Sequence, residues 1–159
     1  MANYIRVRKE AKRLLDKYKI ISAPIDPEVI AEAEGVDVAY VDFNNTVADK
    51  ISGVYDFETK TIFVNKSIPP NRMTFTIAHE LGHAILHEEY AKSANYTAMP
   101  RKNYHDNKPD EEREADVFAA CLLVPSNMLR KYKEFASNAE LAKMFAVSQD
   151  VVMIQRKYI

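Results

Sequence analysis

Residues 79–83 read His79-Glu80-Leu81-Gly82-His83, and no other run in the chain constrains its fold and chemistry as much. A helix turns about 100° and rises about 1.5 Å per residue, so His79 and His83 sit one turn apart on one face. Two imidazoles so placed can grip one Zn²⁺ at roughly 2.0–2.1 Å. Glu80, the next residue, points beside the metal and can act as general base on a water there. The spacing predicts a helix over residues 72–88, starting after Pro69-Pro70, and the chemistry of a zinc hydrolase.

The surroundings sharpen that reading. Met73, Ile77, Leu81, Ala84 and Ile85 form one apolar stripe on a helical wheel, while His79, Glu80, His83 and His87 fall on the other side. The chain has only four histidines, so three on one face point to chemistry rather than packing. A catalytic zinc takes three protein ligands and keeps a position open. His87 is not the third, because it lies about 12 Å from His79 along the axis, too far for one ion held at roughly 2 Å. It reads instead as a support for a ligand or a residue of the rim.

The third ligand must come from another segment, and residues 109–125 supply one. Pro109 suits a first helical turn, Asp110, Glu111 and Glu112 suit a helix N-terminus, and Pro125 stops the helix. Glu112, Ala115, Asp116, Ala119 and Leu123 share a face. Small Ala115 and Ala119 let this helix press close to the histidine helix, with Glu112 reaching the metal. Asp116 can orient a ligand histidine through its other ring nitrogen. Glu111 and Glu114 read as a solvated helix start.

Thr76 to His87, followed by Glu112-x-x-Ala115-Asp116-x-Phe118-Ala119-Ala120-x-Leu122-Leu123-x-Pro125, resembles the ImmA/IrrE family of small bacterial and phage metallopeptidases. The resemblance spans at least residues 20–126, since Ile21 to Val38 is similar to the family's entry helix and first strand. It implies that His79, His83 and Glu112 bind one Zn²⁺ per chain and that Glu80 is the catalytic base. It further implies limited proteolysis of a helix-turn-helix transcriptional repressor, as by the anti-repressors of phages and mobile elements.

Residues 4–19 read as a basic amphipathic helix with Ile5, Leu14, Leu15 and Tyr18 available to pack; its seven Lys and Arg are a solvated face or a contact for an acidic partner. Asp26 to Glu34 is a short helix with Pro27 in its first turn and Gly35 closing it. Val36 to Phe43 alternates like a strand. Ile51–Phe57 and Thr61–Asn65 read as a hairpin around Glu58-Thr59-Lys60. A sheet edge beside the metal would let substrate add as an extended strand, and the hairpin is expected to provide it. The expected fold is α+β, a small, mostly antiparallel sheet of about three strands covered by helices. It amounts to a minimal zincin-like core with a helical tail, one domain over residues 1–159 (1–70 helices and sheet, 71–126 zinc-site helices, 127–159 tail).

Composition sets bounds. With 159 residues and 47% hydrophobic letters the chain can build one modest core. A net charge of −1 gives no reason to expect a dominant nucleic-acid footprint. The first residues lack an apolar h-region and nowhere do about 18 apolar residues run together, so a cytoplasmic protein without membrane contact is expected. Cys121 is alone and reads as packing on an apolar helix.

Residues 88–108 form a connection long enough to carry function. Tyr96, Tyr104 or His105 is a candidate donor to the oxyanion of a tetrahedral intermediate, or part of a plain surface loop. In the tail, Ser137 and Glu140 have capping-box spacing, and two helices around Val147-Ser148 resemble a helix-turn-helix. Few groups there are placed to read bases, so a hairpin completing the core or docking a repressor fits better. Three functions stand open: a zinc endopeptidase specific for a repressor, a non-catalytic zinc module regulating a repressor by binding, and a DNA-binding protein using the tail. Intact Glu80 favours the first, because a binding module needs no base beside its metal.

Overall fold

The computed structural model describes residues 1–44, 46, 50–100 and 108–159. The chain opens with α1, Tyr4–Lys17, capped by the Asn3 side chain, which accepts the Arg6 N–H. Its packed face is Val7, Ala11, Leu14 and Leu15, the spacing of one helical stripe. Ile5, expected to pack, is 84% exposed, because it falls off that stripe. Helix α2, Pro27–Ala33, starts at an Asp26 cap and buries Ile30 and Ala31.

Three strands follow: β1 Asp37–Val41, β2 Ile51–Asp56 and β3 Thr61–Asn65. The β2–β3 turn is tied by Asp56, whose carboxylate accepts the Glu58 N–H and the Thr59 hydroxyl. A fourth strand, β4, is the two-residue Met99–Pro100, and the sheet order is β1-β3-β2-β4. β2 is antiparallel to both β3 and β4, while β1 runs parallel to β3 with Asp37 opposite Thr61. The fold is α+β with a small, mostly antiparallel sheet, as expected; among the described residues it has four strands, and the β1–β3 pairing is parallel. Alternation reveals a strand without its direction, and two residues are too few to show a period. The hairpin, expected to provide the substrate edge, therefore lies in the middle of the sheet, with β1 beside β3 and the short β4 beside β2.

The helix carrying the motif, α3, runs Pro70–Leu86 and buries Thr76 through His83 and Leu86. It lies between the β2–β3 hairpin, α2 and α5 (Asp110–Leu123). Two glycines permit this closeness. A Cβ on Gly53 would fall 2.6 Å from Thr76 Cγ2 and 2.7 Å from the Phe63 carbonyl oxygen, so β2 meets α3 without a side chain between them. A Cβ on Gly82 would come 3.1 Å from Phe118 Cδ1, across the α3–α5 contact. Short α4, Glu88–Lys92, begins where α3 ends at His87.

After Pro125 come α6 Ser126–Tyr132, α7 Asn138–Phe145 and α8 Gln149–Arg156. Ser137 and Glu140 form a capping box, and the Ser148 hydroxyl accepts the Val151 N–H at the start of α8. Leu141, Phe145, Val147 and Val152 are buried, and Gln155 Nε2 donates to the Val124 carbonyl at 2.9 Å. The tail thus completes the core against α5. No helix among the described residues is long and apolar enough to cross a membrane.

Candidate metal centre and active site

Helices α3 and α5 bring three donors together: His79, His83 and Glu112, all buried, with ligand atoms within 4.8 Å of one another. His79 Nε2 is 3.0 Å from Glu112 Oε2, and His83 Nε2 is 3.1 Å from Glu112 Oε1. Ala115 and Ala119, fully buried on α5, let the two helices approach this closely. His83 Nε2 makes no hydrogen bond although it is buried. A buried ring nitrogen that meets only a carboxylate oxygen 3.1 Å away, without hydrogen-bond alignment and beside a second imidazole, fits a divalent metal.

Each histidine is held from behind. His79 Nδ1 lies 2.9 Å from Asp116 Oδ1, and Asp116 in turn takes Lys108 Nζ at 2.8 Å. His83 Nδ1 lies 3.0 Å from His87 Nδ1, and His87 Nε2 lies 2.7 Å from Glu114 Oε2. Glu114 Oε1 accepts the Asn3 N–H at 2.5 Å. Glu114 is therefore buried and paired, not a solvated residue of the helix start. Its environment comes from α1 and from the end of α3, which the α5 sequence does not reveal. Tyr90, on α4, donates its hydroxyl to Glu112 Oε1 at 3.0 Å, a contact that nothing in the local pattern announced.

The charges follow from burial and these partners. Burial disfavours the ionised form of Glu112, but the contacts with His79 and His83 outweigh it and hold the carboxyl well below the usual range. Burial also opposes the charge on His79, yet its bonds to Asp116 and Glu112 raise it to about 10. Burial lowers both His83 and His87. Glu80 is pushed up by burial to about 7.

Glu80 lies completely buried beside the cluster. Its Oε2 accepts the Tyr96 hydroxyl at 2.6 Å, and that hydroxyl in turn accepts the Tyr55 N–H of β2 at 2.6 Å. Its Oε1 has no partner. Tyr96 is thus brought to the base, whereas Tyr104 and His105 lie outside the described residues. Arg72 secures the neighbouring edge, donating to the Pro100 carbonyl at 2.7 Å and to the Ser52 hydroxyl at 3.2 Å.

Residues 31–154 match the model of the peptidase family described as the IrrE N-terminal-like domain. The chain belongs to this family. It is 30% identical over 132 residues to "Uncharacterized immunity region protein 2" of Bacillus phage phi105, covering 82% of this chain and 75% of that protein. It is 32% identical over 103 residues to "Radiation response metalloprotease IrrE" of Deinococcus radiodurans, covering 60% of this chain and 30% of that one. The Deinococcus deserti protein of the same name is 30% identical over 79 residues, 48% of this chain and 27% of its own length. The chain therefore spans less than a third of either IrrE protein. A "Mycobacterium tuberculosis transcriptional regulator" has a similar fold, with a TM-score of 0.65 at 17% identity over 95% of this chain and 55% of that one.

Proposed function

We propose that the protein is a zinc-dependent endopeptidase that makes a site-specific cut in a helix-turn-helix repressor. The observation that carries this reading is Glu80, a fully buried carboxylate with one unpartnered oxygen beside a three-donor metal cluster. A purely structural metal site is closed and has no use for such a group. The metallopeptidase family and the phage relative named for an immunity region support the enzyme class and the kind of target.

His79, His83 and Glu112 would hold the ion, and Tyr90 and Asp116 keep Glu112 and His79 in place. A zinc ion held there supplies a Lewis acid and lowers the pKa of a water toward about 7. Glu80 takes the proton as water attacks the scissile carbonyl and delivers it to the leaving amine. Burial favours the protonated form of Glu80 and a cation beside it favours the charged form, the two opposing influences on a group that must take up and release a proton. Tyr96 is the candidate that would turn from Glu80 to donate to the developing oxyanion. Incubating the purified chain with the helix-turn-helix regulator encoded beside it tests the reading. One cut is expected, abolished by chelator and restored by zinc. A regulator that stays whole with zinc present contradicts it.

A further inference from the structure

We propose that Glu114, acting through His87, is a positioning residue that holds His83 in the one tautomer able to bind the metal; this rests on the metal reading above. The geometry of the ring nitrogens carries the inference. His83 turns Nε2 toward His79 and Glu112 and turns Nδ1 toward His87 Nδ1 at 3.0 Å. Two ring nitrogens that face each other can bond only if one carries a proton and the other does not.

With both imidazoles neutral, two arrangements of the chain of contacts are possible. In the first, His83 Nδ1–H donates to His87 Nδ1, His87 Nε2–H donates to Glu114 Oε2, and His83 Nε2 is left with a bare lone pair for the ion. In the second, His87 Nδ1–H donates to His83. The proton of His83 then stands on Nε2, where a ligand needs a lone pair, and a bare His87 Nε2 faces a carboxylate oxygen at 2.7 Å. Two lone pairs at that distance repel. Bare His83 Nε2 would meet the same repulsion from Glu112 Oε1 at 3.1 Å, which a cation held between them removes; with the ion bound, the carboxylate at position 114 therefore favours the first arrangement from two residues away.

Glu114 is itself fixed, because its other oxygen accepts the Asn3 N–H at 2.5 Å. The two ligand histidines are thus served differently. Asp116 contacts His79 directly, and Glu114 reaches His83 only through a second imidazole. The hydrogen bond made by one ring nitrogen sets the state of the other, so loss of either carboxylate should be felt at the metal.

Glu114→Gln keeps the shape but breaks the selection. Its single carbonyl oxygen cannot serve both Asn3 and His87, and its amide group can donate to His87 Nε2 and impose the second arrangement. Zinc affinity measured by chelator competition at neutral pH should fall roughly 10–100-fold. Glu111→Gln, the same charge change nearby on α5, should stay within about twofold of wild type. A merely structural role would lower the metal-free melting temperature and leave zinc affinity alone. Nitrogen-15 NMR of the histidine rings in the zinc-loaded wild type reads the tautomers without any variant. The expected protons are on His83 Nδ1 and His87 Nε2, and a proton on His87 Nδ1 overturns the proposal. Unchanged zinc affinity in a folded Glu114→Gln overturns it alone, whereas a wild-type chain that takes up no zinc overturns the metal reading as well.

Discussion

His83 shows how much one side chain is asked to do. It is fully buried, bonded behind to His87, and its Nε2 has no hydrogen bond to satisfy it. Purified protein should carry about one zinc per chain, the occupancy of a single three-ligand site, and His83→Ala should reduce this nearly to zero. Metal analysis showing zinc retained in His83→Ala would refute the ligand set. His79, Glu80 and His83 were legible because helical periodicity is local and five residues suffice to express it. Glu112 was legible for a related reason, sharing a face with Ala115 and Ala119 rather than with other charges. Glu114 and Tyr90 were not. One is buried by α1 and His87, the other arrives on a short helix in a long connection, and such neighbours are set by tertiary packing alone.

Among the elements, the contact of β2 with α3 sets the floor beneath the site. Gly53→Ala must move either Thr76 or the Phe63 backbone, and the backbone cannot yield cheaply. A loss of about 1–3 kcal/mol is expected in denaturant unfolding. Unchanged stability would mean that β2 can lift away from α3. Helices α1 and α2 are joined by Glu34, which accepts from Lys17 Nζ at 2.7 Å and from the Tyr18 hydroxyl. Burial opposes its charge, but those two bonds outweigh it and lower its pKa from 4.5. A carboxylate depressed on folding contributes stability above its unfolded pKa and loses it as pH falls through the folded value. Glu34→Gln should therefore melt lower than wild type at pH 7, with the gap closing below about pH 4. A gap independent of pH would contradict that assignment. Most helices and the hairpin were legible from caps and periodicity. The parallel β1–β3 pairing and β4 were not, since strand direction and a two-residue pairing leave no periodic trace.

At the scale of the whole molecule, the α3–α5 pair is both the core and the candidate metal centre. The sheet lies against one side of α3, and α1 and the tail close over α5. The tail that resembled a helix-turn-helix buries Leu141, Phe145, Val147 and Val152 and ties Gln155 to the Val124 carbonyl at the end of α5, so it contributes to the core. The central claim is that Glu80 performs chemistry beside a metal. Glu80→Gln keeps the shape and leaves His79, His83 and Glu112 in place. The decisive measurement compares wild type and Glu80→Gln, both zinc-loaded, for cleavage of the neighbouring helix-turn-helix regulator and for binding to it. Cleavage should fall by about two to four orders of magnitude, the usual contribution of a positioned proton-transfer group, while zinc content and regulator binding persist. Cleavage by Glu80→Gln at the wild-type rate would contradict the account.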